Sequence, residues 1–549
     1  MAQQIPHLKF RKNVDIGSIA AENDRFLKTC FLDTGQIENL EDMEDPKRII
    51  LGRTGTGKTA IINELKKKDW NIVSIDPEAL SLQYLSNSTI LQYLNQLGVH
   101  LDLFYKLLWK HIFTVELLKS RYQLEDEESQ NKFLSSIFSY FGKNKKKRKA
   151  IEYLVEWTGS FFETTEYRVK EITQKLEDKI SAEMGCDIKA ITANAESTSS
   201  SSIEQKAEIL KKAQSAVNSI QIVELNDLLN LMQTDIFTDV QKKYFLLIDD
   251  LDKDWVDQSV VYDLIKALLD TVTDFSHRIK NVKVVIALRE NILEKILRSQ
   301  GKRGPQREKY DPLYLQLFWT PEELTELIDL RVDQLLTGQY TSSEKVSHQD
   351  ILPHKSKYRE DGMTYILDRT FLRPRDLIHF LNICFKSSVG KTAFGWDTIK
   401  SAELEYSKSR LDSVFDEWRE NYPSLDKVFG LFSNFESPFS TSDISNEALG
   451  KFIEEIFDVV KNQAQTVNWL DQMVQIFLDS GDSAFPEIKL RMINVLYVVG
   501  FLGVKERGKN SIKYSFLPEG NLVPEDLHSG MKLFIHPAFH RALNVRPTY

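Results

Sequence analysis

The chain has 549 residues, 28% of them charged and 42% hydrophobic, an ordinary globular balance whose length suits three or four domains. A formal net charge of −9 excludes a protein that coats nucleic acid over its whole surface and leaves only local basic sites for such contacts. Cys30, Cys186 and Cys384 are far apart and form no metal-ligand spacing. They suit a reducing interior, and with no apolar signal core after Met1 a cytoplasmic location is expected.

The first 46 residues read as a lead-in, with helix character over Ala20–Leu27 and a loop at Thr34-Gly35. Next, the apolar run Ile49-Ile50-Leu51 enters Gly52-Arg53-Thr54-Gly55-Thr56-Gly57-Lys58-Thr59-Ala60, a full match to G-x-x-x-x-G-K-[ST], and a helix is expected from Ile61 to Lys67. Strand, glycine loop and helix in this order make a phosphate-binding loop. Residues 52–60 wrap phosphate oxygens with backbone N–H groups, Lys58 reaches the β/γ-phosphates, and the Thr59 hydroxyl ligates Mg2+. A second strand spans Trp70–Asp76, which completes a strand–helix–strand unit of a parallel sheet.

From about Glu78 to Thr238 only helical periodicity is visible. Its most apolar helix, near Leu101–Leu118, carries Asp102, Lys106, Lys110, His111 and Glu116 and is too polar to span a bilayer. Further stripes at Val169, Ile172, Leu176, Ile180 and at Ile203, Ala207, Leu210, Ala213, Val217, Ile220 flank the polar run Ser197–Ser202. Such a helical insertion either packs on the core or serves as an arm for a partner, and the arm is the slightly favoured expectation. Within it, Lys143–Lys149 is a solvated basic run or a track for a phosphate backbone.

Five apolar residues, Tyr244–Ile248, then lead into Asp249-Asp250-Leu251-Asp252. Carboxylates at the C-terminal end of such a strand are the expected second half of a phosphate-loop site: Asp249 holds Mg2+, Asp250 orients or deprotonates the attacking water, and Asp252 caps the next helix. Another strand, Val282–Leu288, ends in Arg289-Glu290, aiming Arg289 at the ligand edge of the sheet as a sensor of γ-phosphate charge or pairing it with a neighbouring acid. The loop Gly301–Arg307 offers Arg303 and Arg307 as solvated side chains or as an arginine finger, and a strand follows at Tyr314–Phe318.

Taken together, these motifs and Phe371-Leu372-Arg373-Pro374-Arg375-Asp376-Leu377 resemble an AAA+-like P-loop ATPase, and within that group the bacterial KAP/STAND type, many of which occur in anti-phage defence loci. The resemblance covers about residues 15–410. It implies an α/β fold with a parallel-sheet P-loop NTPase core, a helical lid carrying a second sensor arginine (Arg375 first, Arg373 next), ATP and Mg2+ as ligands, a homo-oligomer, and a separate effector protein. Two departures stand out: 191 residues separate Lys58 from Asp249, and the acidic pair is Asp-Asp rather than Asp-Glu, so the role of the insertion and the hydrolysis rate are not carried over.

Beyond about Phe415 the pattern is again helical. Near the end a helix over Ile488–Val499, a hairpin through Lys505, Arg507, Lys509 and Lys513, and a strand at Leu533–Pro537 are similar in order to a winged helix, with a basic tip able to contact nucleic acid phosphates. His536 reads as a strand-end packing residue. The expected organisation is a lead-in (1–46), the P-loop NTPase core (47–97 and 237–320), the helical insertion (98–236), the lid (321–414) and a C-terminal helical, winged-helix-like domain (415–549). The function expected from all this is a Mg2+-dependent ATP-hydrolysing switch, catalytic through Lys58, Asp250, Arg289 and Arg375. The alternative is a nucleotide-gated DNA-binding adaptor with little hydrolysis.

Overall fold

The computed structural model describes residues 9–78, 101–123, 223–251, 258–298, 310–340, 345–357, 359–462, 469–505, 511–518, 527–528 and 530–548, with isolated residues between 91 and 99 and between 132 and 211. Two compact units divide the chain. One comprises 35–51 and 61–316; the other comprises 1–34, 52–60 and 317–549.

The first unit is built on a parallel sheet of β1 (Ile49–Gly52), β2 (Asn71–Ile75), β3 (Tyr244–Ile248), β4 (Val282–Arg289) and β5 (Tyr314–Gln316), in the order β2-β3-β4-β1-β5. β3 and β4, apolar but for Lys283 and Arg289, are buried on both faces, as strands covered by helices on each side require. Ile248 stands opposite Ile286, so β4 runs three residues past the end of β3 and lies between β3 and β1.

Helix α2 (Asp102–Tyr122) opens the region read as an insertion, yet it is a core helix. Phe104, Leu108, Trp109 and Phe113 are fully buried, each contributing about 1.5–3 kcal/mol, and the Trp109 Nε1–H donates to Leu264 O of α3 (Gln258–Arg278) at 2.9 Å. The salt bridges Lys110–Asp274 and Lys266–Asp102 join the same two helices. For this helix the expected arm is corrected: its apolar stripe is covered within the chain. The later stripes, the Ser197–Ser202 run, Lys143–Lys149, Arg303, Arg307, Asp252, Arg507 and Lys509 lie outside the described residues.

Lys283 is the one charged side chain of β4 with no exposed surface, and its ammonium donates to the carbonyls of Asn39, Asp42 and Asp45 in the segment leading to β1. Burial, reinforced by the Arg48 charge and partly offset by Asp45 and Asp42, lowers its pKa to about 8. A lowered folded value means that the unfolded chain binds the extra proton between pH 8 and 10.5, so stability rises with pH across that window, by at most about 3 kcal/mol. Comparing urea midpoints of the wild type and Lys283→Met should show the wild type gaining on the variant from pH 8 to pH 10.

In the second unit, helices α4 (Pro321–Tyr340), α5 (Pro374–Lys386), α6 (Trp396–Trp418) and α7 (Phe485–Val498) share one hydrophobic core with Phe10 and Ile16 from the start of the chain. The domain limit read between 414 and 415 falls inside α6, which is continuous there. Ala20–Leu27 is corrected from helix to turns around a short 3-10 segment, Ala21–Asn23. The reason is Asp24, whose carboxylate takes the Phe26 N–H at 3.1 Å and Arg331 Nη2 at 2.6 Å instead of letting the backbone coil on. Both members of the Asp24–Arg331 pair are 3% exposed. Arg331→Met strands the acid and should cost about 3–5 kcal/mol, read as a lowered unfolding midpoint with early proteolysis before residue 30.

At the C-terminal end, α7 leads into β6 (Leu502–Lys505), which pairs antiparallel with β7 (Lys532–Ile535) and by a single bridge with Lys513. Helix and closing strand come in the order read from the sequence, residues 506–510 of the expected hairpin lie outside the described residues, and buried His536 follows β7, as a strand-end packing residue should. No helix among the described residues is long and apolar enough to cross a membrane. The parallel sheet entered through a glycine loop, with a helical C-terminal part, is a P-loop NTPase fold.

Candidate nucleotide-binding site

The loop after β1 takes left-handed turns at Gly55 (φ 84°) and Gly57 (φ 104°), conformations that side chains disfavour, before α1 (Lys58–Leu65) begins. Every carbonyl from Gly52 to Thr56 accepts a hydrogen bond. Lys58 Nζ donates to Gly52 O and Arg53 O at 3.0 Å each, and the Thr56 hydroxyl also donates to Arg53 O at 2.9 Å. Arg373 Nη1 donates to Thr54 O at 2.7 Å, the Arg375 N–H to Gly55 O at 3.4 Å, and the Trp319 indole N–H to Thr56 O at 2.8 Å. With the carbonyls held this way, the first N–H groups of α1, which have no acceptor within their own helix, are the donors left for a phosphate. The residues therefore fit a nucleotide polyphosphate.

Three of those holds come from residues 319–375, and a fourth member, Glu417, was not singled out from the sequence. Its Oε1 accepts the Thr54 N–H at 2.9 Å, and its Oε2 lies 3.2 Å from Arg373 Nη1 and 3.9 Å from Arg410 Nη2. Arg410 also pairs with buried Asp376 at 3.2 Å. Burial raises the Glu417 pKa, but Arg373, Arg410 and Arg53 outweigh it, and the net result is a carboxyl held far below the usual range. Thr54, expected among the phosphate donors, thus has its N–H engaged by a protein carboxylate.

The Arg53 side chain is engaged by residues 498–515. Its Nη2 donates to Val498 O at 2.9 Å and to the Ser515 hydroxyl at 2.8 Å, and its Nη1 to Val499 O at 3.4 Å, capping the carbonyl end of α7. The expectation for Arg53 concerns its backbone N–H; its side chain serves a separate, C-terminal contact. Of the two sensor candidates, Arg375 packs its side-chain carbons on Gly55 and donates from Nε to Ile19 O at 3.0 Å, whereas Arg373 is buried against Glu417.

In the sheet unit, β1, β3 and β4 run parallel, so their C-terminal ends share one edge, where ligands of such sheets collect. Asp249 and Asp250 leave β3 there, both half-buried. Asp249 Oδ1 accepts the Asp250 N–H at 2.9 Å, and Asp250 sits at φ 59°, a left-handed conformation that Asp and Asn tolerate. Arg289 ends β4, between the acidic strand and β1, while the neighbouring Glu290 takes the Gln316 side-chain amide.

Residues 322–414, which include Arg373 and Arg375 and stop three short of Glu417, match the model of the FunZ-associated C-terminal helical domain. Over 557 aligned residues the chain is 23% identical to the putative transposon gamma-delta 80.3 kDa protein of Escherichia coli (strain K12), an alignment covering 97% of this chain and 67% of that protein. Among solved structures it is similar to the Walker-type ATPase PABY2304 of Pyrococcus abyssi, with 10% identity, a TM-score of 0.36, and coverage of 93% of this chain and 95% of the other.

Proposed function

We propose that the chain is a Mg2+-dependent ATP-binding and ATP-hydrolysing switch, the ATPase component of a bacterial anti-phage defence system that acts with a separate effector and as a homo-oligomer. The carrying observation is the glycine loop whose five carbonyls from Gly52 to Thr56 are all engaged, so that its helix N-terminus faces phosphate as a donor surface. The KAP/STAND resemblance of the motifs supports the defence setting.

In this reading Lys58 exchanges its two loop carbonyls for β/γ-phosphate oxygens, and the Thr59 hydroxyl and Asp249 carboxylate hold Mg2+. The metal, when bound, neutralises charge developing on the phosphates. Asp250 accepts the proton of the attacking water or orients it. Arg289 and Arg375 report the γ-phosphate, Arg375 through the loop it packs on and the lid helix it begins. ATP rather than GTP is the proposed base because no Asn/Thr-Lys-x-Asp stretch follows the acidic strand.

The adaptor alternative draws on the C-terminal strands, where Lys505 stands opposite Lys532 and Lys513 bridges to Val504, gathering lysines able to meet a phosphate backbone. Phosphate release with ATP and Mg2+, with and without double-stranded DNA and beside mass photometry, separates the two. Turnover that rises with DNA or with assembly supports the switch. Tight ATP binding without turnover in either condition supports the adaptor.

A further inference from the structure

Glu417 and Arg373 grip one residue of the phosphate loop by both of its backbone polar groups: the carboxylate takes the Thr54 N–H, the guanidinium donates to the Thr54 carbonyl, and the two side chains pair with each other at 3.2 Å. Both side chains are at most 4% exposed. A buried ion pair is a poor source of stability, because desolvating both charges offsets their attraction, but its directional bonds fix geometry well. Geometry is what this loop lacks on its own, since two of its residues are glycines in the left-handed region.

We propose that Glu417 is a positioning residue for nucleotide binding: through Arg373 and the Thr54 peptide it sets the loop so that the first amides of α1 converge on the nucleotide's phosphates. The inference rests on the ATP reading above and extends it to an acid near the end of α6, 363 residues from Thr54. Glu417 does not touch the nucleotide itself. Its effect falls on the contacts the loop makes equally with substrate and transition state, and such uniform binding appears in KM rather than in kcat.

The test is steady-state ATP hydrolysis by the full chain carrying Glu417→Gln. A tenfold or greater rise in the KM for ATP is expected, with kcat lowered less than threefold. A residue needed only for folding would instead reduce the active fraction, lowering kcat at unchanged KM, and that result overturns the proposal. Glu417→Gln removes the carboxylate charge on which Arg53, Arg373 and Arg410 act, so the double variant E417Q/R373M is measured beside it. Across Arg53, Arg373, Asp376, Arg410 and Glu417 it keeps the single excess positive charge of the wild type, while the charged acceptor on the Thr54 N–H and the guanidinium on the Thr54 carbonyl are both lost, and the same KM rise is expected. Wild type that turns over ATP beside variants of unchanged KM sinks this inference alone; wild type that neither binds nor hydrolyses ATP sinks the ATP reading and the inference together.

Discussion

Replacing Lys58 with alanine is expected to lower ATP turnover by about 10³-fold, the largest single effect on activity in this chain. The ammonium is the only formal positive charge that the loop residues Gly52–Ala60 can direct at the phosphates, because the other cation in that stretch, Arg53, is committed to Val498, Val499 and Ser515. The fold should survive. Lys58 bonds Gly52 O and Arg53 O, but Arg53 O keeps the Thr56 hydroxyl, and the remaining loop carbonyls keep Arg373, Arg375 and Trp319. Two charge-assisted bonds are lost, at about 1.5–3 kcal/mol each, a shift of several degrees in the melting midpoint. Phosphate release and a circular-dichroism melt on the same preparation check both halves. Turnover within threefold of wild type would remove the loop from the reaction.

The sheet was legible in the sequence because its signal is local. Tyr244–Ile248 is an apolar run between Lys243 and Asp249, Val282–Leu288 is apolar but for Lys283, and such runs fit strands covered on both faces. The glycine loop was legible because the glycines and Lys58 stand at fixed spacing. Glu417 was not, because it is one acid in an Asp-Glu-Trp-Arg-Glu stretch, and its role arises from contact with Thr54, a position the motif leaves free. Arg53 occupies another free motif position, so nothing local announced that it caps α7. The stripe on α2 told that a face is apolar, not what covers it; the answer came from Leu264, 155 residues beyond Trp109. Ala20–Leu27 has helix-forming composition, but a buried arginine 307 residues away from Asp24 decides its conformation. Distant partners account for each of these misses, and local patterns for each success.

Changing Asp250 to Asn is expected to lower kcat by about 10²–10³-fold while leaving ATP affinity within twofold, which separates a hydrolysing switch from a binding scaffold. The substitution is conservative in the ways that matter for the backbone. Residue 250 sits at φ 59°, where asparagine is as well tolerated as aspartate, and its N–H still donates to Asp249 Oδ1. What changes is the ability to accept a proton from water, since an amide oxygen remains an acceptor of hydrogen bonds but not a base at neutral pH. Asp249→Asn serves as the contrast: it weakens a hard-oxygen ligand and should raise the Mg2+ concentration needed for half-maximal turnover, with a smaller loss once Mg2+ is saturating. Fluorescent-nucleotide titration gives the affinities and phosphate release gives kcat. An unchanged kcat in the Asp250 variant assigns the base elsewhere, and undiminished biological function with abolished turnover identifies ATP as a ligand that holds a conformation rather than a fuel.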